Sequence, residues 1–135
     1  MTLPPIVFPD IEAVVTAWGK ATLPGYGITA KVATKMPDPR PAATVVVRHG
    51  GGAQRDAITD RPRVILECHA ATEPLAADLA GKVRALLSSA APGYLTAGVW
   101  CDQVVDMGIA KSQDPNTGTP RYLVTAELHV TGRPL

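Results

Sequence analysis

Two runs, TVVVR (Thr44 to Arg48) and RVILECHA (Arg63 to Ala70), are apolar at consecutive positions, so both of their faces are hydrophobic at their centres when extended. Side chains on a strand alternate between two faces, and a run apolar on both has to be covered on both. The chain therefore needs a sheet with these two strands near its middle, helices on one side and some other cover opposite. Between them lies RHGGGAQRD, with three consecutive glycines. A glycine-rich loop cradles phosphate when a strand precedes it, a helix N-terminus follows it and a lysine reaches the oxygens. Here the chain continues through AQRDAITDRP into a second β-rich run, and no Gly-Lys-Ser/Thr closes the loop. The stretch reads as the tip of a long hairpin reaching out of the domain, with glycines supplying positive φ. Its candidate contact residues are Arg48, His49, Gly50, Gly51, Gly52, Arg55, Arg61 and Arg63, which can pair with carboxylates on a partner surface.

The remaining elements follow from periodicity and from the positions of 13 prolines and 12 glycines. Asp10 caps a helix from Ile11 to about Ala21, with Ile11, Val14, Val15 and Trp18 on one stripe. ITAKVATKM (Ile28 to Met36) is a first strand, ended by PDPRP, where prolines lack donors. Thr72 caps a second helix from Glu73 to about Ser89, whose buried stripe is Leu75, Leu79, Val83, Leu86 and Leu87. VWCDQVVDM (Val99 to Met107) is a fourth strand, followed by a polar loop from Ile109 to Pro120. RYLVTAELHV (Arg121 to Val130) alternates, with Tyr122, Val124, Ala126, Leu128 and Val130 inward and Arg121, Thr125, Glu127 and His129 outward. The expected fold is α+β: two helices on one face of a mainly antiparallel sheet of about five strands, in the order α-β-β-β-α-β-β. All 135 residues form one domain with short flexible termini.

Several function classes lose ground on composition. A net charge of +1 is too small for tight non-specific nucleic-acid binding, and 4% aromatic content leaves few platforms for stacking bases. No apolar run approaches the ~20 residues of a membrane span, and the N-terminus lacks the pattern of a signal peptide. Cys68 and Cys101 read as buried free thiols. Cys68 and His69 point to opposite faces of a strand, which disfavours a shared metal. Asp102 and Asp106, four apart on one side of a strand, read as two solvated acids. Ser88, Ser89 and Ser112 lie in no G-x-S-x-G context. The expectation is no enzyme, no cofactor and no metal.

RPRVILECHA leading into a capped amphipathic helix, then GVWCDQVVDMG, a polar loop and TGTPRYLVTAELHVTG, resembles the tail terminator proteins of long-tailed phages, especially those of actinobacteria. The resemblance spans about Phe8 to Val130 and rests on element order and strand phrasing, with no chemically defined motif. It implies a structural virion protein at the tail-neck junction, made in the host cytoplasm. Its copies would form a ring, typically a hexamer, that caps the tail tube, stops tube polymerisation and docks the head connector. Phage DNA would pass through the ring without tight binding, and no membrane is involved. A neck or adaptor component, or a small nucleic-acid-binding module using the basic hairpin, are the alternatives.

Overall fold

The computed structural model describes residues 3–96 and 98–135. Helix α1 (Ile11–Thr22) starts where the Asp10 carboxylate accepts hydrogen bonds from the amides of Glu12 and Ala13. Those donors have no partner inside the first turn, which is why the cap matters. Ile11, Val14, Val15 and Trp18 are all buried, as their spacing predicts. Helix α2 (Glu73–Ser88) is capped by the Thr72 hydroxyl, which accepts from the Leu75 amide. Its buried side is Ala76, Leu79, Ala80, Val83 and Leu87, whereas Leu75 is 56% exposed and Leu86 only half-buried. The expected stripe is thus corrected at one end. Alanines let the helix approach the sheet closely, and at 3.6 residues per turn Leu75 lies roughly a quarter-turn off the line through them.

The strands are β1 (Ile6–Val7), β2 (Lys31–Ala33), β3 (Ala43–His49), β4 (Thr59–Asp60), β5 (Arg63–Ala70), β6 (Gly93–Thr96), β7 (Val99–Lys111), β8 (Arg121–Thr131) and β9 (Arg133–Pro134). The main sheet runs β2-β3-β5-β8-β7-β6, with β4 added on β8, and β1 pairs separately with β9. Among the described residues only β2 and β3 pair in parallel. The two doubly apolar strands, β3 and β5, are interior as required. The sheet curls, because α1 packs against β2 and β3 at one end and against β6 at the other. Helix α2 lies across β5, β8 and β7, and both helices share one core with Val45, Val47, Leu66, Cys68, Val124 and Leu128.

The α+β class and the antiparallel character hold, while the count of five strands is corrected. The added strands β1, β4, β6 and β9 have two to four residues each, too short to show a period. The first strand shrinks from Ile28–Met36 to Lys31–Ala33, since a turn at Gly27 precedes it and prolines follow. Its inward residues Ile28 and Val32 are nonetheless buried. Strand β7 is longer than expected: Ile109, Ala110 and Lys111, placed in the polar loop by sequence, pair with Val124, Leu123 and Tyr122. Turn-forming composition begins only at Ser112.

Candidate interaction surface on the outer face

Register decides which side chains meet on the face away from the helices. Paired residues share a face, so Thr44 with His69, Val46 with Glu67, and Arg48 with Ile65 all point outward from β3 and β5. Across the next junction Glu67 meets Leu123, His69 meets Arg121, and Arg63 meets Glu127. Charges that sequence order scatters are thereby collected on one surface.

One cluster surrounds a pocket of about 300 Å³, built from β3, β5 and the loops before β3 and before β8. Glu67 lies at its centre, buried. Its Oε2 accepts from Arg48 Nε, its Oε1 accepts from His69 Nε2 at 3.3 Å, and Arg121 Nη1 stands 3.7 Å from Oε1. Arg121 is held by a second pair of contacts, donating from Nε to the Ser112 carbonyl at 2.7 Å and from Nη2 to the Ser112 hydroxyl at 3.1 Å. Arg40 approaches Asp114 at 3.8 Å. Hydrogen bonds from the Asn116 and Thr117 amides hold the Asp114 carboxyl below its usual range. Because Glu67 can only accept, His69 carries its proton on Nε2, and its buried Nδ1 has no partner among the described residues. Burial holds the His69 imidazole below its ordinary value.

The second cluster belongs to the glycine loop. The β3–β5 ladder extends into it through Gly50 N donating to Arg63 O at 2.6 Å and Arg63 N donating to Gly51 O at 2.7 Å. Gly52 has φ +118°, and a Cβ there would overlap the Arg61 carbonyl oxygen, so this position admits only glycine. Beyond it the loop folds back. Asp56 accepts from the amides of Ile58 and Thr59, and β4 then pairs Thr59 with Thr131 and Asp60 with Val130. The expectation of a tip reaching out of the domain is corrected by this strand, which ties the loop to the end of β8.

The eight candidate residues consequently part company. Arg48 turns into the Glu67 pocket. The His49 amide donates to Glu12 Oε2 at 2.7 Å and anchors β3 to α1. Arg55 is drawn inward, donating to His129 Nδ1 at 3.2 Å, Thr59 Oγ1 at 3.3 Å and Asp102 Oδ2 at 3.3 Å. His129 Nε2 in turn donates to Glu127 at 2.9 Å, and Asp102 Oδ1 accepts from Trp100 Nε1 at 2.7 Å. Trp100 stacks edge-on against Tyr94, which is 68% exposed. Arg63 remains exposed and Arg61 half-buried, the Arg61 side chain donating to the Ala53 carbonyl at 3.4 Å.

Asp102 and Asp106 are not on one side. Irregularities between Cys101 and Gln103 and again before Ile109 shift the register of β7. One extra residue inverts the phase of everything beyond it. Asp102 therefore faces Arg55, while Asp106 reaches Arg84 on α2 at 2.6 Å, which holds the Asp106 carboxyl below its usual range. Cys68 and Cys101 are free and buried, and burial pushes the Cys68 thiol up to about 12.

Sequence reasoning missed Arg40, Glu67, His69, Asp114 and Arg121 as a group. The available signal was Glu67 and His69 two apart in RVILECHA, on the face opposite Leu66 and Cys68. Their assembly depends on strand neighbours that sequence does not reveal. Among the described residues no group of three or more His, Cys, Asp or Glu is placed to hold a metal ion, and no helix is long and apolar enough to cross a membrane. No protein-family model matches the chain, and no curated protein matches it significantly.

Proposed function

We propose that this chain is a structural subunit of a phage tail, a terminator whose copies form a ring that caps the tail tube and receives the head connector. The reading rests on the chain-wide sequence resemblance, and the observation that supports it best is the open end of the sheet. Strand β6 pairs with β7 only from Val99 to Cys101, so among the described residues nothing pairs with the other edge of β7 from Gln103 to Lys111. Such an edge presents a row of backbone donors and acceptors ready for another chain. The opposite end of the sheet is the three-residue β2, a much shorter edge. Joining one copy's long edge to the next copy's short end is a head-to-tail contact between unlike surfaces, the kind that closes into rings when the rotation permits. Exposed Trp100, Met107 and Ile109 on β7, with Tyr94 on β6, supply apolar area for that contact.

In this assembly Arg61 and Arg63 meet the tube or the neighbouring copy, and Arg55 serves to hold the loop in place. Light scattering and negative-stain microscopy of the purified protein, alone and with tail tubes, test the proposal. The expected result is a ring with a mass near six times 14.1 kDa, formed freely or on the tube end. A species that stays at 14.1 kDa under both conditions would refute it.

A further inference from the structure

We propose that the outer-face pocket binds a compact oxyanion, a phosphoryl or carboxylate group, between the guanidinium groups of Arg40 and Arg48. The inference stands on the pocket alone and does not depend on ring formation. Three guanidinium groups, from Arg40, Arg48 and Arg121, border it against two carboxylates, Glu67 and Asp114. Both carboxylates already have their donors. Glu67 is surrounded by Arg48 Nε, His69 Nε2 and Arg121 Nη1, and Asp114 is occupied by the amides of its own turn.

The cations are in the opposite condition. Arg48 commits only its Nε, leaving both terminal nitrogens without a hydrogen bond among the described residues, and its side chain is 55% exposed. Arg40 approaches Asp114 at 3.8 Å, too far for a hydrogen bond, so its planar fork is unused. Arg121, fixed by Ser112, adds a third positive charge that needs no rearrangement. One positive charge is left over, and Arg40 and Arg48 line the same pocket with uncommitted terminal nitrogens. Planar forks of this kind match the paired oxygens of carboxylate and phosphate, and a lysine in the same place supplies charge without the fork. The volume of about 300 Å³ admits such a group with several waters, each taking ~30 Å³ in the liquid.

Titration of the protein with inorganic phosphate, and separately with acetate, at constant ionic strength tests this by amide NMR. Saturable shifts are expected at Arg48, Glu67, Asn116 and Thr117. Arg40→Gln and Arg48→Gln should each weaken binding roughly tenfold or more, and Arg40→Lys should fall between Arg40→Gln and the native protein. Arg61→Gln, outside the pocket, should bind as the native protein does. Tighter binding of phosphate assigns the site to phosphoryl groups, and tighter binding of acetate assigns it to carboxylates. Should Arg48→Gln fail to fold, Arg40→Gln carries the test, because the Arg40 side chain forms no hydrogen bond among the described residues. Shifts that grow linearly without saturating, or equal affinity in Arg40→Gln and Arg61→Gln, would overturn the proposal.

Discussion

The two faces of the curled sheet solve burial in different ways. Beneath the helices the buried sheet residues are apolar, from Val45 and Val47 through Leu66 and Cys68 to Val124 and Leu128, and close packing holds the layer, with the Asp106–Arg84 pair at its exposed margin. On the outer face Glu67, His69 and His129 are also buried, but each is there because another polar group meets it. Volume governs what the first face tolerates; pairing governs the second. The same strands contribute to both, since alternation sends Leu66 and Cys68 one way and Glu67 and His69 the other.

The largest expected effect tests the volume rule. Leu87 is fully buried on α2 against the sheet. Leu87→Ala should lower stability by about 2–5 kcal/mol in urea unfolding, through lost transfer energy and a residual cavity. Leu75→Ala, on the exposed flank of the same helix, should stay within about 0.5 kcal/mol. Equal losses at the two positions would mean that α2 presents a different side to the core.

Pairing predicts a smaller loss on the outer face. Glu67→Gln keeps shape and volume but removes the charge that serves Arg48, Arg121 and His69. The expected loss is about 1.5–3 kcal/mol, toward the lower end because Arg48 can turn to water. A loss exceeding that of Leu87→Ala in the same assay would reverse the ranking of the two faces.

The inner face was largely legible in the sequence and the outer face was not. Helical spacing located Val14, Val15 and Trp18, and alternation located Val124, Ala126, Leu128 and Val130, because burial of apolar side chains imposes a local period. The outer clusters join residues far apart in the chain, such as Arg48 with Glu67 and Arg55 with Asp102, through strand order and register. Neither is encoded in a local period. Asp102 and Asp106 show the limit within one strand, where a bulge reversed a face that alternation had assigned. Arg55 shows it in a loop, where a two-residue strand turned an expected tip back onto β8.

Acid should act through the outer face. Burial holds His69 below its ordinary value of 6.5, with Glu67 opposing that shift and Arg40 and Arg121 adding to it. The unfolded chain therefore takes up this proton first as pH falls. The contribution of neutral His69 is complete above about pH 6.5 and declines as pH drops through that value toward the lower folded one. Urea midpoints measured from pH 7.5 to 5.5 should fall, and His69→Gln should flatten the slope. A midpoint that rises on acidification would contradict a buried neutral imidazole.

The smallest effects separate the two arginines of the glycine loop. Arg55 bonds to His129, Thr59 and Asp102, yet its side chain is 38% exposed, so water competes for every contact. Arg55→Glu should lower global stability by only ~0–1 kcal/mol. It sets a carboxylate beside Asp102, however, so the loop should open locally, and the amides of Ile58 and Thr59 should exchange faster than in the native protein. The Arg61 side chain meets only the distant Ala53 carbonyl among the described residues, and Arg61→Glu should change neither the melt nor that exchange. If the ring proposal holds, the assembly assay reverses this order: Arg61→Glu weakens ring formation directly, by reversing a charge at a contact repeated around the ring, and does so more strongly at low salt. Faster exchange at Thr59 in Arg61→Glu would show that Arg61 holds the loop rather than the partner.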